Sequence, residues 1–152
     1  MLNKCIITDT SCLIVLQKIG RLDILNLLYE TVLITPKIRE EYGDDLPEWI
    51  KIQNFQSQEI YEIFVNLVDE GEATALSLAW EMKGSTVVLD DLKARQTAIK
   101  LGFKVTGTLG VLIKAKKIGL FASLKTEIDK MIKTNFRINS NIIQQALKEV
   151  GE

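Results

Sequence analysis

Six carboxylates have the spacing that most clearly suggests chemistry in this sequence. Each ends an apolar run typical of a buried strand or lies near the start of a helical stretch: Asp9, Glu40, Glu41, Glu72, Asp90 and Asp91. Any one of them alone is explained by helix capping or by the helix dipole. Together they suggest a cluster, because the carboxyl ends of parallel strands and the helix starts that follow them share one edge of a sheet.

A cluster of this kind needs a cation. Carboxylates within a few ångström raise each other's pKa unless a cation neutralises them. The chain contains no histidine, and its two cysteines, Cys5 and Cys12, lie in apolar segments. Because oxygen ligands favour Mg²⁺ or Mn²⁺ over zinc, we expect one of these two ions. Such an ion lowers the pKa of a bound water and neutralises charge on a phosphodiester during cleavage.

The composition also excludes several classes of protein. Without histidine the chain cannot be a Ser-His-Asp hydrolase, a Cys-His protease, a histidine-based zinc hydrolase or a two-histidine nuclease. Two isolated cysteines make neither a disulfide framework nor a zinc site. No apolar run approaches the ~20 residues that span a bilayer, and no signal peptide is evident, so we expect a cytoplasmic protein without a membrane partner.

Cations are concentrated in one part of the chain, although the formal net charge is only −1. Between Leu92 and Ile118 there is no anion and there are seven cations, Lys93, Arg95, Lys100, Lys104, Lys114, Lys116 and Lys117. Solvated helix faces explain such a run equally well. An acidic metal cluster that acts on RNA nevertheless needs flanking cations, because it repels a polyanion. Lys93 and Arg95 directly follow the acidic pair and are the best placed of the seven.

Hydroxyl residues also fall at the predicted acidic edge. Thr10 and Ser11 follow Asp9, and Thr106 and Thr108 flank a glycine at the start of a predicted helix. Hydroxyls and backbone N–H groups at a helix start bind phosphate or a metal-bound water, although simple capping explains them as well. With Lys93 and Arg95, these four residues are the candidates for substrate binding.

The elements that must position these residues alternate between strand and helix. Apolar runs predict strands at 4–8, 31–34, 50–55, 86–89 and 103–105. Helical periodicity and stop signals predict helices at 10–20, 22–29, 37–42, 58–68, 69–84, 92–101, 109–117, 121–132 and 139–150. The alternation predicts an α/β fold, a three-layer α/β/α domain around a central parallel sheet. We expect one domain over residues 1–152, with a helical tail over 119–152.

Five motifs in order resemble the PIN-domain family of metal-dependent ribonucleases, which includes the VapC-type toxins of prokaryotic toxin–antitoxin pairs. The first looks like the family's opening strand, with an acid followed by a hydroxyl residue. The stretches that carry the resemblance are Ile6–Ser11, Ile34–Tyr42, Asp69–Leu76, Val88–Arg95 and Val105–Leu112. Single motifs are weak signals, but five in the family's order are specific and cover essentially the whole chain.

The resemblance implies a function and a set of ligands. It implies a Mg²⁺- or Mn²⁺-dependent endoribonuclease that cleaves single-stranded or structured RNA, frequently dimeric, with an antitoxin protein as partner if the chain is such a toxin. The implied ligands are Asp9, Glu41, Glu72 and either Asp90 or Asp91. Glu41 is preferred over its neighbour because it directly precedes a bulky apolar residue, as in the family. The third acid is often aspartate in the toxins and is glutamate here.

Two other functions remain open. A phosphatase of the haloacid-dehalogenase type also places an aspartate after its first strand and an acidic pair after a later one. Its chemistry needs a second acid two residues beyond the first, and here that position is Ser11. A non-catalytic PIN-like scaffold that binds RNA or a protein is the other alternative, because the acids are necessary but not sufficient for cleavage.

Overall fold

The structure is a computed structural model that describes residues 3–152, with side chains from Cys5 onward. The strands of this part of the chain are β1 (Asn3–Ile7), β2 (Tyr29–Ile34), β3 (Ile50–Ile52), β4 (Thr86–Val88) and β5 (Lys104–Thr106). The helices are α1 (Thr10–Lys18), α2 (Ile24–Leu28), α3 (Pro36–Tyr42), α4 (Gln58–Val65), α5 (Glu70–Glu81), α6 (Leu92–Lys100), α7 (Thr108–Lys117), α8 (Leu124–Lys133) and α9 (Ser140–Glu149).

The five strands form one parallel sheet in the order β3-β2-β1-β4-β5. Each connection between parallel strands must cross over the sheet, so helices cover both faces. This arrangement confirms the predicted three-layer α/β/α fold. The chain leaves β1 toward β2 on one side and returns to β4 on the other, and ligands bind at such a reversal in strand order.

The centre of the sheet is fully buried. Ile6 and Ile7 in β1 and Val87 and Val88 in β4 have no exposed surface. These strands read as continuous apolar runs because both faces of a parallel sheet are covered. The first acid after each run, Asp9 and Asp90, therefore lies at the carboxyl edge of the sheet.

Helix α5 is almost entirely buried, and its packing determines where Glu72 lies relative to the edge of the sheet. Every residue from Ala73 to Ala79 is buried, and small residues allow the helix to lie close to β1 and β4, which it contacts. The hydroxyl of Thr74 donates to Gly71 O at 2.7 Å and that of Ser77 to Ala73 O at 2.7 Å, so neither buried polar group lacks a partner. The first turn of α5, with Glu72, consequently lies at the carboxyl edge.

Each predicted element differs from the observed one by one to three residues at one end or both, and two of these differences concern the sheet. The predicted helix over 22–29 contracts to α2, because Tyr29 has extended backbone (φ −130°, ψ 143°) and pairs with Asn3 in the sheet. The predicted strand over 50–55 ends at Ile52. The next backbone N–H, that of Gln53, still donates to Ile34 O at 3.0 Å, after which the chain turns toward α4.

The C-terminal helices are attached to the rest of the protein by ion pairs. Arg21, which follows α1, contacts Glu127 of α8 at 2.8 Å. Lys117 of α7 contacts Glu149 of α9 at 2.7 Å. The Glu152 carboxylate accepts the backbone N–H of Leu124 at 2.6 Å, at the start of α8. Within residues 3–152, no helix combines the length and the apolar character that a membrane crossing requires.

Candidate active site

The carboxylates at the carboxyl edge surround one cleft of about 370 Å³. Its lining residues are Asp9, Thr10, Ser11, Glu41, Asp69, Gly71, Glu72, Asp90 and Asp91. All five acids that the sequence singles out as ligands are thus brought together. Glu40 does not line the cleft, because its exposed side chain faces Lys37 at 3.7 Å.

Asp9 is the most deeply buried acid of the cleft, with 5% of its surface exposed. It caps α1 through Oδ1, which accepts the N–H of Cys12 at 2.9 Å, while Oδ2 accepts the N–H of Asp90 at 2.9 Å. Burial and the nearby Asp90 carboxylate raise the pKa of Asp9 to about 8, although the two N–H donors favour its charged form. Asp9 therefore joins the ends of β1 and β4, and no cation within residues 5–152 offsets the burial that disfavours its charged form.

Asp90 is held by three donors. Its Oδ1 accepts the N–H of Thr108 at 2.7 Å, and its Oδ2 accepts the hydroxyls of Thr108 and Ser11 at 2.6 Å and 2.9 Å. Thr108 is fully buried. The hydroxyls of Thr108 and Ser11, which are candidates for substrate binding in the sequence, are directed at a carboxylate in this structure and fix its orientation.

Glu41 reaches the cleft from α3 because Gly71 leaves room for it. The Thr10 hydroxyl donates to Glu41 Oε1 at 2.7 Å. A Cβ atom on Gly71 would collide with the Glu41 carboxylate, so a side chain at this position would push Glu41 away. The glycine thus allows the acid of α3 to lie against the first turn of α5, next to Glu72.

Glu72 lines the cleft and also caps α5 together with Asp69. It forms a capping box with Asp69: the Asp69 carboxylate accepts the N–H of Glu72 at 2.9 Å, and Glu72 Oε1 accepts the N–H of Asp69 at 3.3 Å. Burial, Asp69 and then Asp91 raise the pKa of Glu72 to about 7. Asp69 is a cleft residue that sequence reasoning missed, because its capping-box pattern already explained its presence.

Two cations stand beside the acids on α6. Asp91 caps this helix by accepting the N–H of Ala94 at 2.9 Å, and Lys93 and Arg95 follow in the first turns. Lys93 is exposed and Arg95 is half-buried. Within residues 5–152 neither side chain forms an ion pair, although every acid of the cleft lies in this part of the chain.

Gly107 provides the space in which Arg95 lies. A Cβ atom on this glycine would be 2.5 Å from Arg95 Nη1 and 3.2 Å from Asp90 Oδ1. Its backbone (φ −113°, ψ 178°) is extended, a conformation that any residue adopts, so space rather than backbone geometry explains the glycine. The Thr106 hydroxyl, a further substrate candidate, donates to Gly107 O at 3.3 Å and does not line the cleft.

The donor chemistry of the cleft fits a divalent cation. No group of three His, Cys, Asp or Glu side chains within residues 3–152 is already arranged to hold a metal. Hydroxyl and N–H donors stand between the carboxylates instead. The lining nevertheless offers only oxygen ligands, and the raised pKa values of Asp9 and Glu72 indicate negative charge without a compensating cation. A divalent ion in the cleft would reverse both shifts.

A family model described as PIN domain matches residues 5–152, which include every acid of the cleft. Among curated proteins, none matches the chain significantly.

Proposed function

The chain belongs to the PIN-domain family, whose members are generally nucleases, and from this premise we propose that it is a Mg²⁺- or Mn²⁺-dependent endoribonuclease. The observation that carries the proposal is the convergence of Asp9, Glu41, Glu72, Asp90 and Asp91 on one cleft. The raised pKa of Asp9, to about 8, supports it, because a buried acid kept without a cation costs stability.

The oxygens that would hold the ion are those that no donor already occupies. Glu41 Oε2, Glu72 Oε2 and Asp91 Oδ1 accept no hydrogen bond within the described part of the chain. Asp9, the most buried acid of the cleft, supplies negative charge near them. The ion, when bound, supplies an activated water and neutralises charge on the scissile phosphate.

The residues around the acids orient the ligands and the substrate. Thr10 holds Glu41, while Ser11 and Thr108 hold Asp90, so each of these two acids enters the cleft in a fixed direction. Arg95 binds a phosphate next to the scissile one, because Gly107 leaves room for its guanidinium near Asp90 and it forms no ion pair within residues 5–152. Lys93 contributes charge from the exposed side of the same helix.

The test is cleavage of RNA with and without a divalent ion. We expect single-stranded RNA to be cleaved with Mg²⁺ or Mn²⁺ and to remain intact with excess chelator. A generic phosphomonoester serves as the second substrate, since a phosphatase would hydrolyse it and leave RNA intact. Equal RNA cleavage in excess chelator would contradict the metal-dependent mechanism.

A non-catalytic scaffold is the second candidate, and one observation favours it. Both oxygens of Asp9 and both oxygens of Asp90 already accept hydrogen bonds. If these bonds persist in solution, the cleft binds divalent ions weakly. Calorimetric titration with Mn²⁺ separates the candidates, because a nuclease requires metal binding, and this binding should weaken in Asp9→Asn, which removes a negative charge from the cleft.

The resemblance to the VapC-type toxins leads us to propose a homodimer and an antitoxin partner as well. The toxin role predicts that expression of this chain arrests growth. It also predicts that a small protein encoded next to its gene relieves the arrest. Unchanged growth together with metal-dependent RNA cleavage would indicate a nuclease outside the toxin group.

A further inference from the structure

The basic run between Leu92 and Ile118 divides into two parts with different environments. In the later part, Lys116 donates to Ala122 O at 2.9 Å, Lys117 pairs with Glu149 at 2.7 Å, and Lys114 lies 5.2 Å from the centre of the Tyr29 ring. In the earlier part, no cation has an ion-pair partner within residues 5–152: Lys93, Arg95, Lys100 and Lys104. The earlier part therefore keeps its positive charge on the surface.

The earlier part leads from the acidic cleft to the opposite edge of the sheet. Helix α6 begins beside Asp91 and ends at Lys100, and β5 begins at Lys104. Strand β4 connects the same two edges in the direction opposite to α6: Ser85 precedes the strand at the far edge, and Asp90 follows it at the edge with the cleft. At roughly 3.3 Å per residue, these two edges are about 16 Å apart.

A second cavity, of about 240 Å³, lies at that opposite edge. Trp80, Lys83, Leu101, Phe103 and Lys104 are among its lining residues, and the lining includes no acid. Two lysines and three large apolar side chains thus meet at the end of the unpaired basic run. Positive charge beside aromatic surface is the combination that single-stranded nucleic acids recognise.

Trp80 packs against two aromatic rings and keeps 43% of its surface exposed. Phe64 meets it edge-on, with ring centres 6.4 Å apart at 63°, and Phe103 lies at 6.4 Å with a tilt of 57°. Lys83 Nζ lies 4.7 Å from the centre of the Trp80 ring. Lys83 is exposed and forms no ion pair within residues 5–152. Its ammonium group can therefore leave the Trp80 ring and bind a phosphate at a small cost in free energy.

We propose that this cavity, the Trp80 pocket, is a second binding site for single-stranded RNA. A base stacks on Trp80, and Lys83 and Lys104 bind the phosphates on either side of it. An RNA strand that extends from the acidic cleft along α6 reaches this pocket, so the site sets a minimum substrate length. The choice of RNA as occupant rests on the proposed function, while the charge and the aromatic surface of the pocket are independent of it.

The experiment uses the Trp49→Phe background, in which Trp80 is the remaining tryptophan of the chain. Single-stranded RNA of about 12 nucleotides, within the site sizes known for such proteins, is titrated without metal so that it stays intact. We expect it to quench Trp80 emission, and we expect a dinucleotide to leave this emission unchanged. The matched variants are Lys83→Ala/Lys104→Ala and the control Lys51→Ala/Lys148→Ala, which removes two exposed lysines from β3 and α9.

The pocket variant should bind the longer RNA about tenfold more weakly, and the slope of log affinity against log salt should fall by about 1.4, or roughly 0.7 for each lost phosphate contact. The control should match the parent in both. Equal affinity and slope in the two double variants would overturn the proposal. A change in Trp80 emission with protein concentration alone would also overturn it, because a second copy of the chain would then cover the pocket.

The outcomes separate this inference from the proposed function. Metal-dependent cleavage with no effect of the Lys83 and Lys104 substitutions means that the second site is wrong and the nuclease stands. RNA binding that quenches Trp80, without cleavage in Mg²⁺ or Mn²⁺, means that the nuclease is wrong and the second site stands.

Discussion

Two carboxylates of this protein have little exposed surface, Asp9 in the cleft and Glu127 in α8, with 5% and 2% exposed, although Asp9 lies deeper in the protein. Burial raises the pKa of both. At Glu127 the hydrogen bonds and charges of Arg21 and Lys130 outweigh burial and hold the pKa below its usual range. At Asp9 no cation offsets burial, the neighbouring Asp90 adds to it, and the pKa rises to about 8.

The difference indicates that Glu127 stabilises the fold, whereas the charged form of Asp9 depends on a bound ligand. Glu127 is neutralised by the chain itself, through an ion pair with Arg21 at 2.8 Å that attaches α8 to the chain after α1. Asp9 is neutralised only by backbone dipoles, which is insufficient at its depth. The first acid should matter for stability and little for chemistry, and the second should show the opposite pattern.

Asp9→Asn should have the largest effect on activity. Asparagine keeps the capping bond to Cys12 and loses one acceptor for the Asp90 N–H, while the repulsion from Asp90 disappears. We expect RNA cleavage to fall by about 10²–10³-fold, the range for loss of one preorganised charge-stabilising group. The free energy of unfolding should change by less than about 1 kcal/mol. Single-turnover cleavage and urea unfolding measure the two quantities.

Asp129→Asn is the matched control for this change, because Asp129 is an exposed acid on α8 that pairs only with Lys125 within residues 5–152. It should retain parental activity. If Asp9→Asn also retains activity, Asp9 is no more than a helix cap.

Glu127→Gln should reverse the pattern. It leaves Arg21 without an anion, and breaking a buried ion pair costs roughly 3–5 kcal/mol. The Arg21 side chain is 30% exposed, so we expect a smaller loss of about 2 kcal/mol in the free energy of unfolding. Cleavage per folded molecule should be unchanged. A loss of activity without a loss of stability would mean that Glu127 takes part in the function. The contrast between Glu127 and Asp9 would then be wrong.

The pH dependence of stability should also differ between the two acids. The folded-state pKa of Asp9 is raised from 3.8 to about 8, so the metal-free folded protein binds the proton more tightly, and its stability falls as pH rises from 4 to 8. Glu72, raised to about 7, acts in the same direction. Glu127 has a lowered pKa, so its contribution is present above pH 4.5 and is lost as pH falls.

Thermal unfolding of the metal-free protein should therefore give a lower Tm at pH 8 than at pH 5. Mg²⁺ should raise Tm more at pH 8 than at pH 5, since it neutralises charge that is present only at the higher pH. In Asp9→Asn both differences should shrink. A metal-free Tm that is constant between these two pH values would mean that Asp9 titrates normally.

Two of the arginines, Arg21 and Arg95, allow the comparison with the smallest expected effect. Arg21 is paired with Glu127, whereas Arg95 stands beside Asp90 without an ion pair in the described part of the chain. Arg95→Ala should reduce the salt slope of RNA affinity by about 0.7, one phosphate contact on a single strand. Lys116→Ala/Lys117→Ala should leave the slope unchanged and weaken the attachment of α9. Identical salt slopes for the parent and Arg95→Ala would mean that Arg95 does not contact an RNA phosphate.

Much of the fold was predictable, because buried parallel strands and amphipathic helices have distinct periods. The strand before Asp90 is a local signal, and the structure has it within one residue of the predicted bounds, whereas the helix predicted to stop at Gly84 already ends at Glu81. Local periodicity predicts a helix at Tyr29, whereas the residue lies in β2, because it pairs with Asn3 in a distant part of the chain. Local periodicity cannot report such pairing.

The cleft was predictable only in part for the same reason. Strand ends bring Asp9 and Asp90 to one edge, which topology alone requires. The space that Gly71 leaves for Glu41 depends on how α3 packs on α5, and the partner of Arg21 is 106 residues away. Such contacts depend on packing between elements, for which a single sequence has no local signal.

The bond from the Asp90 amide to Asp9 Oδ2, at 2.9 Å, gives this protein an internal spectroscopic reporter. An amide proton that donates to a carboxylate changes its resonance and its exchange rate when that carboxylate gains a proton or binds an ion. The Asp90 amide belongs to the backbone, so it survives substitution of any side chain in the cleft. A ¹⁵N-labelled sample would therefore show the ionisation of Asp9, and its response to each metal, at a single resolved cross-peak.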